Sequence, residues 1–83
     1  MKTLHLYRTR TGYRWRYVAA NGRIRCAATE FYDHRRDMVA CARDAFPDFC
    51  DGHKTFTRDN ARGQRETIRV VDTTHLPVRK ETR

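Results

Sequence analysis

The dipeptide Asn21-Gly22 constrains this chain more than any other feature, because it separates two segments that read as strands. Before it, Tyr13, Trp15, Tyr17 and Ala19 fall on one side of an extended chain, and Arg14, Arg16 and Val18 on the other. After it comes Arg23-Ile24-Arg25-Cys26-Ala27. Asn-Gly favours a two-residue type I′ turn, whose central residues both need positive φ. Such a turn sets a register, with Ala19 opposite Ile24, Val18 opposite Arg25, Tyr17 opposite Cys26 and Arg16 opposite Ala27. Opposed residues share a sheet face, so Trp15, Tyr17, Ala19, Ile24 and Cys26 are expected on the apolar side. Arg14, Arg16, Arg23 and Arg25 are expected together on the other.

Upstream, Leu4 and Leu6 alternate with Thr3, His5 and Tyr7, the pattern of a half-buried strand over 3–8. Downstream of Tyr32 the period changes: Met38, Val39, Cys41, Ala42, Ala45 and Phe46 form one helical stripe. Asp33 is placed to cap that helix and Pro47 ends it. Residues 48–64 carry no period and several turn signals, so they read as a long loop with a short extended piece at 55–57. One of Phe49 and Phe56 is expected to tuck under the sheet. Residues 66–71 read as a last strand with Ile68 and Val70 on one face, and 73–83 as a disordered tail. The expected fold is therefore α+β: a three-stranded antiparallel sheet with one helix packed on it (β-β-β-α), plus a C-terminal strand. One domain spans 1–72, with 48–65 as an inserted loop. Its expected core is Leu4, Leu6, Trp15, Tyr17, Ile24 and Cys26 from the sheet, Met38, Ala42 and Phe46 from the helix, and Ile68 and Val70 from the last strand.

Several of these residues resemble a known family. Arg14-Trp15-Arg16, Ala19-Ala20-Asn21-Gly22, Ile24, Glu30 and Tyr32, a following helix, and Ile68-Arg69-Val70-Val71-Asp72 are similar to the pattern of the YegP-like family, a domain of unknown function. The resemblance implies a β-β-β-α unit that occurs in tandem or pairs as a homodimer, and it implies no activity. Thr29 departs from the family's usual serine, and Met38-Val39-Ala40-Cys41-Ala42 from its usual Gly-Ile. The excursion over 47–65 and the tail after Asp72 are extra.

Charge narrows the function classes. The 83 residues carry 18 Lys+Arg against 10 Asp+Glu, a net charge of +8, and 15 of the 18 are arginine. Such a field attracts polyanions, and arginine's planar fork suits phosphate and carboxylate. The expected site is Arg14, Arg16, Arg23 and Arg25, binding DNA, RNA or another polyanion, with Tyr13 or Tyr32 at its edge to stack on a base. The alternative is a protein-interaction module, of phage or accessory-genome type, that binds an acidic host protein.

No enzyme is expected: the chain has no serine at all, no glycine-rich phosphate loop and no catalytic carboxylate set. No cofactor or metal is expected either. Cys50 and His53 make one short-spaced ligand pair, where a structural zinc site wants two. Cys26 and Cys41 read as small buried hydrophobes, and three cysteines, an odd number, fit reduced thiols better than a disulfide scaffold. With no membrane-length apolar run and no signal-like leader, a cytoplasmic location is expected.

Overall fold

The turn after residue 18 differs from its expected form, and the difference sets the geometry of one sheet edge. In the computed structural model, which describes residues 2–77, no non-glycine residue has positive φ, so Asn21 cannot hold a type I′ turn. Instead Gly22 takes φ 87°, its amide donates to Ala19 O at 2.9 Å, and the Ala19 amide donates to Arg23 O at 2.8 Å. This is a three-residue loop with glycine in the left-handed position. It moves the pairing by one, so that Val18 faces Ile24. A bulge then absorbs Arg25 and restores the expected Tyr17–Cys26 and Arg16–Ala27 pairs. Ile24 is left 58% exposed, and Cys26 is exposed too, so neither joins the core.

The elements run β1 (Lys2–Arg8), β2 (Tyr13–Val18), β3 (Ile24–Ala27), α1 (Arg35–Ala45), β4 (Thr55–Asp59) and β5 (Arg65–Asp72). They build one five-stranded sheet in the order β3-β2-β1-β5-β4. Neighbours pair antiparallel except β1 and β5, which run parallel. This corrects the expected three-stranded antiparallel sheet. The chain crosses from one edge to the other through α1, and the β4–β5 hairpin then slots β5 against the free side of β1.

The 48–65 segment holds a strand and two core residues, Phe49 and Phe56, as well as loop. β4 contains the extended piece expected at 55–57 and continues to Asp59, although only Phe56 on its inward side is apolar. The other inward residue, Arg58, lies 4.9 Å over the Phe46 ring and 5.2 Å over Tyr17, and its Nε donates to Glu66 Oε2 at 2.9 Å. Its stem covers apolar surface while the charge is neutralised. The turn between β4 and β5 repeats that between β2 and β3. The Asn60 amide donates to Gln64 O at 2.8 Å and the Gly63 amide to Asn60 O at 2.9 Å.

The core lies between the sheet and α1. Leu4, Leu6, Trp15, Tyr17 and Ile68 are buried against Met38, Val39, Ala42 and Phe46, and both Phe49 and Phe56 join them, where one was expected. Phe46 is the hub, with ring centroids 5.7 Å from Trp15, 5.1 Å from Tyr17 and 6.0 Å from Phe56. Val70 is only partly buried against this cluster. The helix is capped by His34 rather than Asp33, without a side-chain bond, and Phe46 stands at its C-cap just before Pro47.

Arg35 in the first turn of α1 joins three segments. Its guanidinium donates bidentately to Asp51 at 2.8 Å for each bond, and to Asp72; its Nε donates to Thr74 Oγ1 at 3.1 Å. Asp72 Oδ1 in turn accepts from the Thr74 amide at 2.9 Å and hydroxyl at 2.6 Å. The chain just after β5 is thus tied to α1 at Thr74, and the Leu76 amide donates to Thr73 O at 3.1 Å; of the tail expected over 73–83, residues 78–83 lie outside the described residues.

A candidate nucleic-acid interface on the open sheet face

Among the described residues, no helix covers the second face of the sheet. Strand register assigns His5, Tyr7, Arg14, Arg16, Arg65, Thr67, Arg69 and Val71 to this side. Asp59, opposite Arg65, is the only carboxylate that the strands place on this side among the described residues, and it accepts from Arg65 Nη1 at 3.4 Å. The inward carboxylates Glu66 and Asp72 pair with Lys2, Arg58 and Arg35 on the other face. Alternation thus puts both carboxylates of β5 on the helix side, each beside a cation, and its two arginines, Arg65 and Arg69, on the open side.

The four arginines expected to form one cluster are divided. Arg14 and Arg16 lie on the open face of β2, as alternation required. Arg23 sits in the turn at the hairpin tip, its amide donating to Asn21 Oδ1 at 3.0 Å. Arg25 is the bulge residue, not the partner of Val18, so the hairpin register does not assemble all four on one face. Arg69 and Arg65, not anticipated as site residues, are exposed on the same face. The rule that could have found them is the same alternation that found Ile68 and Val70: the residues between the buried ones must face outward.

The aromatic residues of this face also differ from expectation. Tyr13 and Tyr32 pack against the core cluster and form a bridge with each other. The Tyr32 hydroxyl has its pKa pushed up to about 12, chiefly by its hydrogen bond to Cys41. On the open face the rings are Tyr7 and Phe31. The Arg16 guanidinium lies 4.9 Å over Tyr7, and that of Arg14 lies 4.9 Å over Phe31. Arg14 Nε also donates to Ala28 O at 2.8 Å, so Arg14 anchors the 28–31 segment and thereby sets Phe31. His5 continues the layer, its ring 5.2 Å from Tyr7.

A cleft of about 650 Å³ opens at the C-terminal end of β1, floored by His5, Tyr7 and Arg16. Phe31 lines it, as do Leu76 and Pro77 of the turn that Arg35 tethers, and Arg8 reaches it from the strand end. Arg8 Nη2 donates to Leu76 O at 3.3 Å. The Nε atoms of Arg8 and Arg16 are buried with no hydrogen-bond partner among the described residues. His5 Nε2 lies 3.0 Å from Thr73 Oγ1, and burial, followed by the nearby Arg16 charge, holds its imidazole below the usual pKa.

The remaining candidates are scattered. Cys26, Cys41 and Cys50 are free thiols. Cys26 lies exposed on β3, where burial of its thiol raises the pKa against the pull of Arg58 and Arg25, and Cys41 Sγ accepts from Trp15 Nε1 at 3.4 Å. Cys50 and His53 line a second, shallower hollow beside β4. Among the described residues no group of three or more His, Cys, Asp or Glu converges to hold a metal, and no helix is long and apolar enough to cross a membrane. No family model, curated protein or solved structure matches the chain.

Proposed function

We propose that the protein is a non-enzymatic binding domain that takes single-stranded nucleic acid across its open sheet face. The observation that carries this reading is the unpacked face itself, on which Arg14, Arg16, Arg65 and Arg69 face one carboxylate, already paired. Guanidinium groups lying on Tyr7 and Phe31 offer flat, positively charged surfaces to unpaired bases. A duplex fits less well. Five strands about 4.8 Å apart span roughly 19 Å, and a major groove is only about 12 Å wide.

The YegP-like resemblance belongs to the same proposal, with a homodimer joined along the outer edge of β3, where Ile24 and Cys26 are exposed. Light scattering on the full chain tests the dimer. For the binding itself, fluorescence anisotropy with labelled oligothymidylate is expected to show affinity that falls steeply with salt. The double reversal Arg16→Glu with Arg69→Glu should abolish it. Unchanged binding by that variant removes the reading, and capture of an acidic protein in place of nucleic acid replaces it.

A further inference from the structure

Resting on that reading, we propose that the cleft at the end of β1 is a nucleotide subsite, holding one phosphate and its unstacked base from the bound strand. Three observations converge on this occupant. The first is charge: the cleft is lined by Arg8 and Arg16, and no carboxylate is among its described lining residues. Arg16 lines the cleft from the open face and Arg8 from the strand end, where its guanidinium lies 5.8 Å over Tyr13 and its Nη2 donates to Leu76 O; a guanidinium fork matches the geometry of a phosphate.

The second is unmet hydrogen bonding. Arg8 Nε and Arg16 Nε are enclosed without an acceptor among the described residues, an arrangement that normally carries a free-energy cost. An anion entering the cleft adds an opposite charge beside these two guanidinium groups, which offsets that cost although the Nε atoms themselves stay enclosed.

The third is the wall. A site for a bare anion needs only donors, yet this one is flanked by the Phe31 ring and by Leu76 and Pro77. The Arg16 guanidinium already lies 4.9 Å over Tyr7, which leaves its outer surface as a stacking plane. The volume of about 650 Å³ lies within the range of sites that enclose small ligands. His5, with its pKa held down, leaves the field to the two arginines at neutral pH. Arg35 secures the Leu76 side of the cleft through Asp72 and Thr74, so this wall is in position before the ligand arrives.

The test is a titration of the full chain with thymidine 5′-monophosphate, inorganic phosphate and oligothymidylate of about a dozen residues, followed by nuclear magnetic resonance. Thymidine monophosphate should shift the amides of Tyr7, Phe31 and Leu76 and the His5 ring, and should compete with the labelled oligomer. Inorganic phosphate should bind the same place about tenfold more weakly or worse. Arg16→Gln should weaken the mononucleotide about tenfold or more, and Arg16→Lys, which keeps the charge without the fork, should also weaken it. Arg43→Gln, which removes equal charge from the exposed side of α1, should not. If the oligomer binds while the mononucleotide does not, or shifts other residues, the subsite is overturned and the sheet-face reading stands. Equal weakening by Arg16→Gln and Arg43→Gln, or equal binding of inorganic phosphate and the mononucleotide, overturns the subsite as well. If neither oligomer nor mononucleotide binds at low salt, both readings fall together.

Discussion

Arginine occupies both faces of the sheet but under opposite conditions. On the helix side, Arg58 lies across Tyr17 and Phe46 and is paired with Glu66, which also takes Lys2. On the open side, Arg16 lies across Tyr7 in the same manner, but it has no carboxylate partner among the described residues. A charge enclosed by protein needs a partner, because removal from water costs several kcal/mol. Arg16 is half-buried with no carboxylate beside it among the described residues, so its charge is open to an external anion. The same ring-stacked arginine thus closes a core in one place and is available to a ligand in the other.

The largest effect separating the two faces should come from the apolar layer. Phe49→Ala should cost about 3–5 kcal/mol in urea denaturation, a large part of the stability a domain of this size has. Arg16→Ala should cost about 1 kcal/mol or less. A reversed order would break the comparison. The next largest effect is on binding. Tyr7→Ala should weaken oligothymidylate by about 1–3 kcal/mol in anisotropy titrations, while leaving the denaturation midpoint nearly unchanged.

A pH scan sharpens the contrast further. Hydrogen bonding from Lys2 and then Arg58, against the effect of burial, holds the Glu66 carboxyl below its ordinary value of 4.5. For Asp72 burial acts against ionisation, but bonds from Thr74 and Arg35 outweigh it and hold that carboxyl below 3.8. Depressed folded-state values mean that this stabilisation is present above the ordinary carboxylate values and is lost as pH falls from them through the lower folded-state values. Glu66→Gln should therefore flatten the loss of thermal stability below about pH 4.5, and substitutions on the open face should not. The smallest effect is expected from Arg69→Ala, which should reduce the slope of log affinity against log salt by about 0.7. Removing Arg43 from the helix should leave that slope as it is.

The candidate site was only partly legible. Arg14 and Arg16 could be assigned to one face because Trp15 and Tyr17 between them are unmistakably apolar. Arg25 does not oppose Val18 as expected, because the bulge takes it out of register, and a bulge reports no local signal here. Asn21-Gly22 permits either a two- or a three-residue loop, and the choice shifts the register by one. Phe31 belongs to no periodic segment; it reaches the site because Arg14 holds the 28–31 chain from a neighbouring strand.

Local pattern determined β1, β2 and α1, since each repeats apolar residues at its own period and ends at a turn, a glycine or Pro47. It also determined that Tyr17 opposes Cys26. Only the tertiary structure decided that β5 lies between β1 and β4 and runs parallel to β1. Strand order depends on which backbone edges meet across the whole sheet, and no short window of side chains records that. The same holds for β4, where Arg58 acts as an inward residue only because Glu66, Tyr17 and Phe46 converge beneath it. The cleft, built from β1, the 28–31 segment and the turn after β5, exists only once those distant stretches meet.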